Sequence, residues 1–60
     1  MNGTVIYKQE LYEFKFDEKW ELWVKRPSKI SQKSFGRFTP IYNLEDARAL
    51  VIEMLLKAGY

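Results

Sequence analysis

The sequence predicts an α+β domain in which a three- or four-stranded antiparallel sheet packs on one C-terminal helix. Three observations carry this expectation. Residues 43–58 have apolar side chains at helical spacing, and residues 10–26 alternate with period two on either side of a short polar break. Two Trp, four Tyr and four Phe, nearly all before residue 43, supply the large side chains that a half-buried sheet packs onto a helix. Sixty residues make a single domain, residues 1–60, small enough that only about 60% of the unfolded surface is buried on folding.

The helix is the best specified element. At about 100° per residue, Leu44, Ala47, Leu50, Val51, Met54, Leu55 and Ala58 share one broad face, the side expected to meet the sheet. Asn43 is placed as N-cap with Asp46 three residues on, Lys57 suits the last turn, and Gly59 is placed to end the helix in a left-handed conformation. Ala49, Ile52 and Leu56 form a second apolar stripe on the opposite side, among Glu45, Arg48 and Glu53. Either another part of the chain covers this stripe, or a protein partner or second copy does, as small domains often gain core by association.

Thr4 to Lys8 is β-branched and aromatic enough for a short strand. From Glu10 to Phe16, Tyr12, Phe14 and Phe16 fall on one side, with Leu11, Glu13 and Lys15 on the other. Asp17-Glu18-Lys19 has the length of a hairpin loop, and Trp20 to Arg26 alternates again, with Trp20, Leu22 and Val24 inward and Glu21, Trp23 and Lys25 outward. Trp23 is then the anomaly of a wet face, explained by a covering ligand or by lysine stems lying along it. Pro27 closes this strand, and another begins within Ile30 to Phe38, where Gly36 marks a bulge or a close backbone approach. Phe35 and Phe38 are expected on the helix side, with Ile41 or Tyr42 as the staple before the helix.

Charge is uneven although the net value is only +2. Residues 1–24 carry five acids against three lysines, whereas residues 25–42 carry Lys25, Arg26, Lys29, Lys33 and Arg37 with no acid. Such a segment is either a phosphate-contacting surface or a solvated turn. With neither His nor Cys, thiol nucleophiles, disulfides and the common zinc arrangements are excluded, and an active site would need carboxylates, lysines, tyrosines or a metal held by oxygen ligands. The acidic pairs Asp17-Glu18 and Glu45-Asp46 have structural reasons at a turn and a helix start, and the three glycines form no phosphate-binding loop. The expectation is a binding protein, without enzymatic activity, metal or cofactor. No window approaches the ~20 apolar residues of a membrane span, and the N-terminal residues lack the pattern of a signal peptide, so a cytoplasmic location is expected.

Trp20, Lys25, Pro27, Gly36-Arg37-Phe38 and Glu45-Asp46-Ala47 stand out as a set within residues 12–59. Through them this stretch resembles the small ββ-β-α DNA-binding domains of plant ethylene-response transcription factors and the arm-binding N-terminal domains of tyrosine integrases. The resemblance implies that the exposed sheet face enters the major groove of double-stranded DNA, with Lys15, Trp23, Lys25, Lys33 and Arg37 on that surface. Glu13 and Glu21 on the same face, and Pro40-Ile41-Tyr42-Asn43 before the helix, depart from the family pattern. Two functions follow as expectations. In the first, the chain is a DNA-binding accessory protein of a phage or mobile element, contacting the duplex through Lys15, Trp23, Lys25, Arg26, Lys29, Lys33 and Arg37 while Ala49, Ile52 and Leu56 meet a second copy or a recombinase. In the second it is a phage-type inhibitor that binds a host protein through Trp23 and the helix stripe, a reading that accommodates the glutamates better.

Overall fold

A computed structural model describes all residues, Met1 to Tyr60. Four strands form one antiparallel meander: β1 (Asn2–Tyr7), β2 (Glu10–Phe16), β3 (Glu21–Lys25) and β4 (Gln32–Arg37), in the spatial order β1-β2-β3-β4. The helix α1 (Leu44–Lys57) follows and covers one sheet face. The α+β expectation holds, with the sheet at its upper strand count.

Strand register explains which residues are inside. Val5 pairs with Tyr12, Phe14 with Val24, and Phe16 with Leu22. Cross-strand partners share a face, so one row of each strand meets the helix and the next row faces out. Val5, Tyr7, Tyr12, Phe14, Phe16, Leu22 and Val24 are buried against Ala47, Val51 and Leu55. Leu50 and Met54 pack at the margin of this core, but Leu44 and Ala58, at the two ends of the predicted face, are exposed. Phe35, Phe38 and Ile41 also pack against the core, whereas Tyr42 is exposed, so of the two residues expected to staple the helix start only Ile41 turns inward.

The helix ends follow their chemistry closely. Asn43 has extended backbone and accepts the Asp46 N–H at 2.8 Å. At the far end Gly59 has φ +83°, its N–H donates to the Leu56 carbonyl, and the Tyr60 N–H donates to the Leu55 carbonyl. These paired bonds satisfy carbonyls that a helix end otherwise leaves open.

The turns are less orthodox. Lys8 and Gln9 join β1 to β2 with φ of +50° and +67°, the left-handed pair that a two-residue hairpin needs and that Asn-Gly usually supplies. Trp20 at φ +61° closes the β2–β3 loop, where its N–H donates to the Asp17 carbonyl at 3.0 Å. It therefore lies outside β3, although its ring still packs inward at 5.8 Å from Phe16. Between Arg26 and Lys29, Ser28 takes φ +63° after Pro27. The ladder shifts register between Glu21 and Trp23 opposite the segment that holds Gly36, the expected bulge.

Candidate functional site

The outer sheet face is built by register. Lys15 lies opposite Trp23 on one side, and Ser34 lies opposite Trp23 on the other. One row along, Thr4, Glu13, Lys25 and Gln32 stand across the four strands, and Glu21 faces Arg37 at the end. Ile6 and Leu11 form a cross-strand pair at the opposite end, exposed to 62% and 51%. A shallow hollow of about 340 Å³ opens among Asn2, Thr4, Glu13, Lys15 and Gln32.

Trp23 is half-buried and held in place. Its indole Nε1 donates to Asp17 Oδ2 at 3.2 Å, while Asp17 Oδ1 accepts the main-chain N–H groups of Lys19 at 2.9 Å and Glu21 at 3.0 Å. The Glu21 N–H leads the interactions that hold the Asp17 carboxyl below its ordinary value, with the indole and Lys19 adding to it against some desolvation. The turn thus orients the aromatic ring of the following strand. Nearby, Ser34 Oγ donates to Glu21 Oε2, and Arg37 Nε donates to the Lys19 carbonyl at 3.3 Å. Lys25 and Glu13 approach to 3.8 Å, so carboxylates and cations are interleaved over the whole face.

The seven residues expected on one nucleic-acid surface divide into two groups. Lys15, Trp23, Lys25 and Arg37 share the outer face. Lys33 does not: it pairs with the buried Val24, and its Nζ lies over the rings of Phe35 and Tyr60 at 5.8 and 5.7 Å on the helix side. This corrects the assignment that the family resemblance implied. The physical reason is the bulge, which breaks simple alternation between Arg37 and the residues before it. Arg26 lies over the other approach to Tyr60 at 5.5 Å, and Lys29 lies on the turn after Pro27. Arg26 and Lys29 line a second depression of about 440 Å³ with Glu10, Tyr12, Gly59 and Tyr60. Burial, reinforced by Glu10, raises the Tyr12 phenol above its ordinary value.

Ala49, Ile52 and Leu56 lie on the helix surface, with Ile52 and Leu56 exposed to 37% and 64%. No strand or tail folds over Leu56, so that explanation of the stripe is removed. The exposure of Ile6 and the meeting of Tyr60 with Arg26 and Lys33 were missed by sequence reasoning, whereas Leu11 was placed beside Glu13 and Lys15. The placement of Ile6 and Tyr60 depends on the Lys8-Gln9 hairpin and the helix cap, and the hairpin carries no glycine or asparagine to announce it.

No helix is long and apolar enough to cross a membrane. No family model, curated protein or solved structure matches the chain.

Proposed function

We propose that this chain is a binding domain without catalytic activity, and that its outer sheet face docks on a protein partner. The observation that carries the proposal is the charge pattern of that face. Glu13 stands beside Lys25 and Glu21 beside Arg37 around the oriented Trp23, with the exposed Ile6–Leu11 pair at one end. Protein interfaces combine aromatic and apolar centres with rims of both signs, whereas DNA-contacting surfaces are far more uniformly positive. The absence of His and Cys supports binding over catalysis.

A second reading, a DNA-binding accessory protein, is favoured by one specific observation: Lys15, Lys25 and Arg37 do share the face with Trp23. The two separate cleanly. The expected result is that Leu11→Asp and Trp23→Ala abolish retention of a partner protein from an extract of the source cells, while Lys15→Glu with Lys25→Glu weakens it less. In fluorescence anisotropy the wild type is expected to show no salt-sensitive binding to duplex DNA. Duplex binding that weakens steeply with salt and disappears in the double lysine variant overturns the protein reading and establishes the second one.

A further inference from the structure

The β1–β2 and β3–β4 connections lie at one end of the meander, and Tyr60 is held beside them: the Tyr7 hydroxyl and Lys8 Nζ donate to its main-chain oxygen at 3.0 and 2.6 Å. The depression of about 440 Å³ opens at this end, and Tyr12 forms part of its wall. Only 8% of Tyr12 is exposed, and, unlike that of Tyr7, its hydroxyl bonds to no protein atom. No side-chain polar atom in the chain is both enclosed and unpartnered, so this hydroxyl is not sealed in the core. Its opening is the depression that Tyr12 lines. A buried phenol left without a partner is completed by a ligand atom.

Charge selects the kind of ligand. Arg26 and Lys29 reach the same depression from one tight turn, closed by the Lys29 N–H donating to the Arg26 carbonyl at 3.2 Å. Neither is in an ion pair, since the two ion pairs of the chain join Lys25 to Glu13 and Lys57 to Glu53. The Arg26 guanidinium lies over the Tyr60 ring at 5.5 Å, a contact with the ring face that leaves its N–H groups free to donate. Lys33 lies over the same ring at 5.7 Å and adds a third cation nearby, while Glu10 is the one acid on the rim. The adjoining helix end opposes an anion only weakly, because the Met54, Leu55 and Leu56 carbonyls already accept from Ala58, Tyr60 and Gly59.

We infer that this depression is a binding site for a phosphate group, free or carried on a small organic molecule. Two unpaired cations and a hydroxyl donor match a group with about two negative charges and three acceptor oxygens better than they match a single carboxylate. The volume falls in the range of small-molecule sites, which leaves room for an organic part against Tyr60. Burial raises the Tyr12 pKa, so the phenol keeps its proton at neutral pH and donates. The site shares no residue with the protein-docking face and stands or falls independently of it.

The test is an NMR titration of the full chain with sodium phosphate at neutral pH and constant ionic strength, up to about 10 mM, past the millimolar end of the affinity scale. Saturable shifts at Tyr12, Arg26, Lys29 and Gly59 are expected. Tyr12→Phe, which removes only the hydroxyl, and Arg26→Gln should each weaken binding about tenfold, as loss of a charge-assisted bond does. Glu10→Gln should tighten it. Lys19→Gln, the same loss of charge at the opposite end of the sheet, should leave it unchanged. Phenyl phosphate separates the two sources: tighter binding than inorganic phosphate assigns an ester whose organic part lies against Tyr60, and equal binding assigns free phosphate. The site is overturned by no saturable shift, by an equal response to acetate at the same ionic strength, by equal weakening in Lys19→Gln and Arg26→Gln, or by unchanged binding in Tyr12→Phe. If Tyr12→Phe does not fold, Arg26→Gln decides at an exposed position, and unchanged binding there overturns the site as well.

Discussion

The indole N–H of Trp23 donates to the Asp17 carboxylate across 3.2 Å, tying the middle of β3 to the turn that precedes it. Asp17 carries two main-chain N–H bonds as well, and these hold its pKa below the ordinary 3.8. A depressed carboxylate contributes stability above its unfolded value and loses that contribution as pH falls through the lower folded value. The Trp23 indole proton resonance should therefore titrate with an inflection below pH 3.8 and not at neutral pH. Asp17→Asn should remove the inflection and leave the fold intact. The absence of an inflection would show that the indole and carboxylate are not coupled in solution, and one at or above 3.8 would show that the bonds to Asp17 do not lower its pKa.

The β1–β2 hairpin carries stored backbone strain at Gln9, whose φ is +67° without a glycine. Left-handed geometry costs an ordinary residue about 1–2 kcal/mol, of which glycine's greater unfolded-state freedom takes back a part. Gln9→Gly is expected to stabilise the domain by about 0.5–1 kcal/mol, read as a higher denaturation midpoint at unchanged slope. Trp20, also left-handed, should behave oppositely. Its ring packs on Phe16, so Trp20→Gly loses more packing than it relieves in strain and should destabilise by about 2 kcal/mol or more.

These turns also mark where the sequence was legible and where it was not. The helix could be read to within a residue of its ends because Asn43, Asp46 and Gly59 each have one dominant local role, and β2 and β3 because their alternation is uninterrupted. Strand β1 could be detected but not paired, since Lys8-Gln9 lacks turn chemistry. The outer-face positions of Lys15, Trp23 and Lys25 followed from parity alone. The position of Lys33 could not, because the bulge resets the parity of β4 relative to β3. No local signal brings Tyr60 to Arg26 and Lys33, since that meeting depends on how the helix lies across the sheet.

The helix stripe lies outside the buried core. Leu56 is well exposed, so Leu56→Asp should lower unfolding free energy by only about 1 kcal/mol, through helix propensity and the carboxylate in the last turn and not through lost core packing. We propose that Ala49, Ile52 and Leu56 pair two copies at high concentration. Sedimentation velocity should show concentration-dependent dimer in the wild type and none in Leu56→Asp. A wild type that remains monomeric throughout the accessible range would remove the stripe as a self-association surface.

The packing around Gly3, between Phe14 and the first turn of the helix, sets the last prediction. A Cβ added at Gly3 would lie 2.8 Å from the ring tip of Phe14 and 2.9 Å from Leu44 Cδ1, distances real side chains do not sustain. The two neighbours differ in their ability to move. Leu44 is exposed at the first turn of α1 and can rotate away, but Phe14 is buried and packs edge-on against Phe16 at 6.2 Å. The strain must then pass into the core or lift β1 away from the helix, and overpacking of this kind costs about 1–3 kcal/mol. A domain of this length is stabilised by only about 3–9 kcal/mol at ~0.05–0.15 kcal/mol per residue. Gly3→Ala should accordingly lower the thermal midpoint by several degrees and speed amide exchange in β1 more than in β3. Leu44→Ala in the same chain should recover part of the loss by opening the space that the methyl group needs. Equal stability of wild type and Gly3→Ala would mean that β1 sits further from Phe14 and the helix than this packing requires.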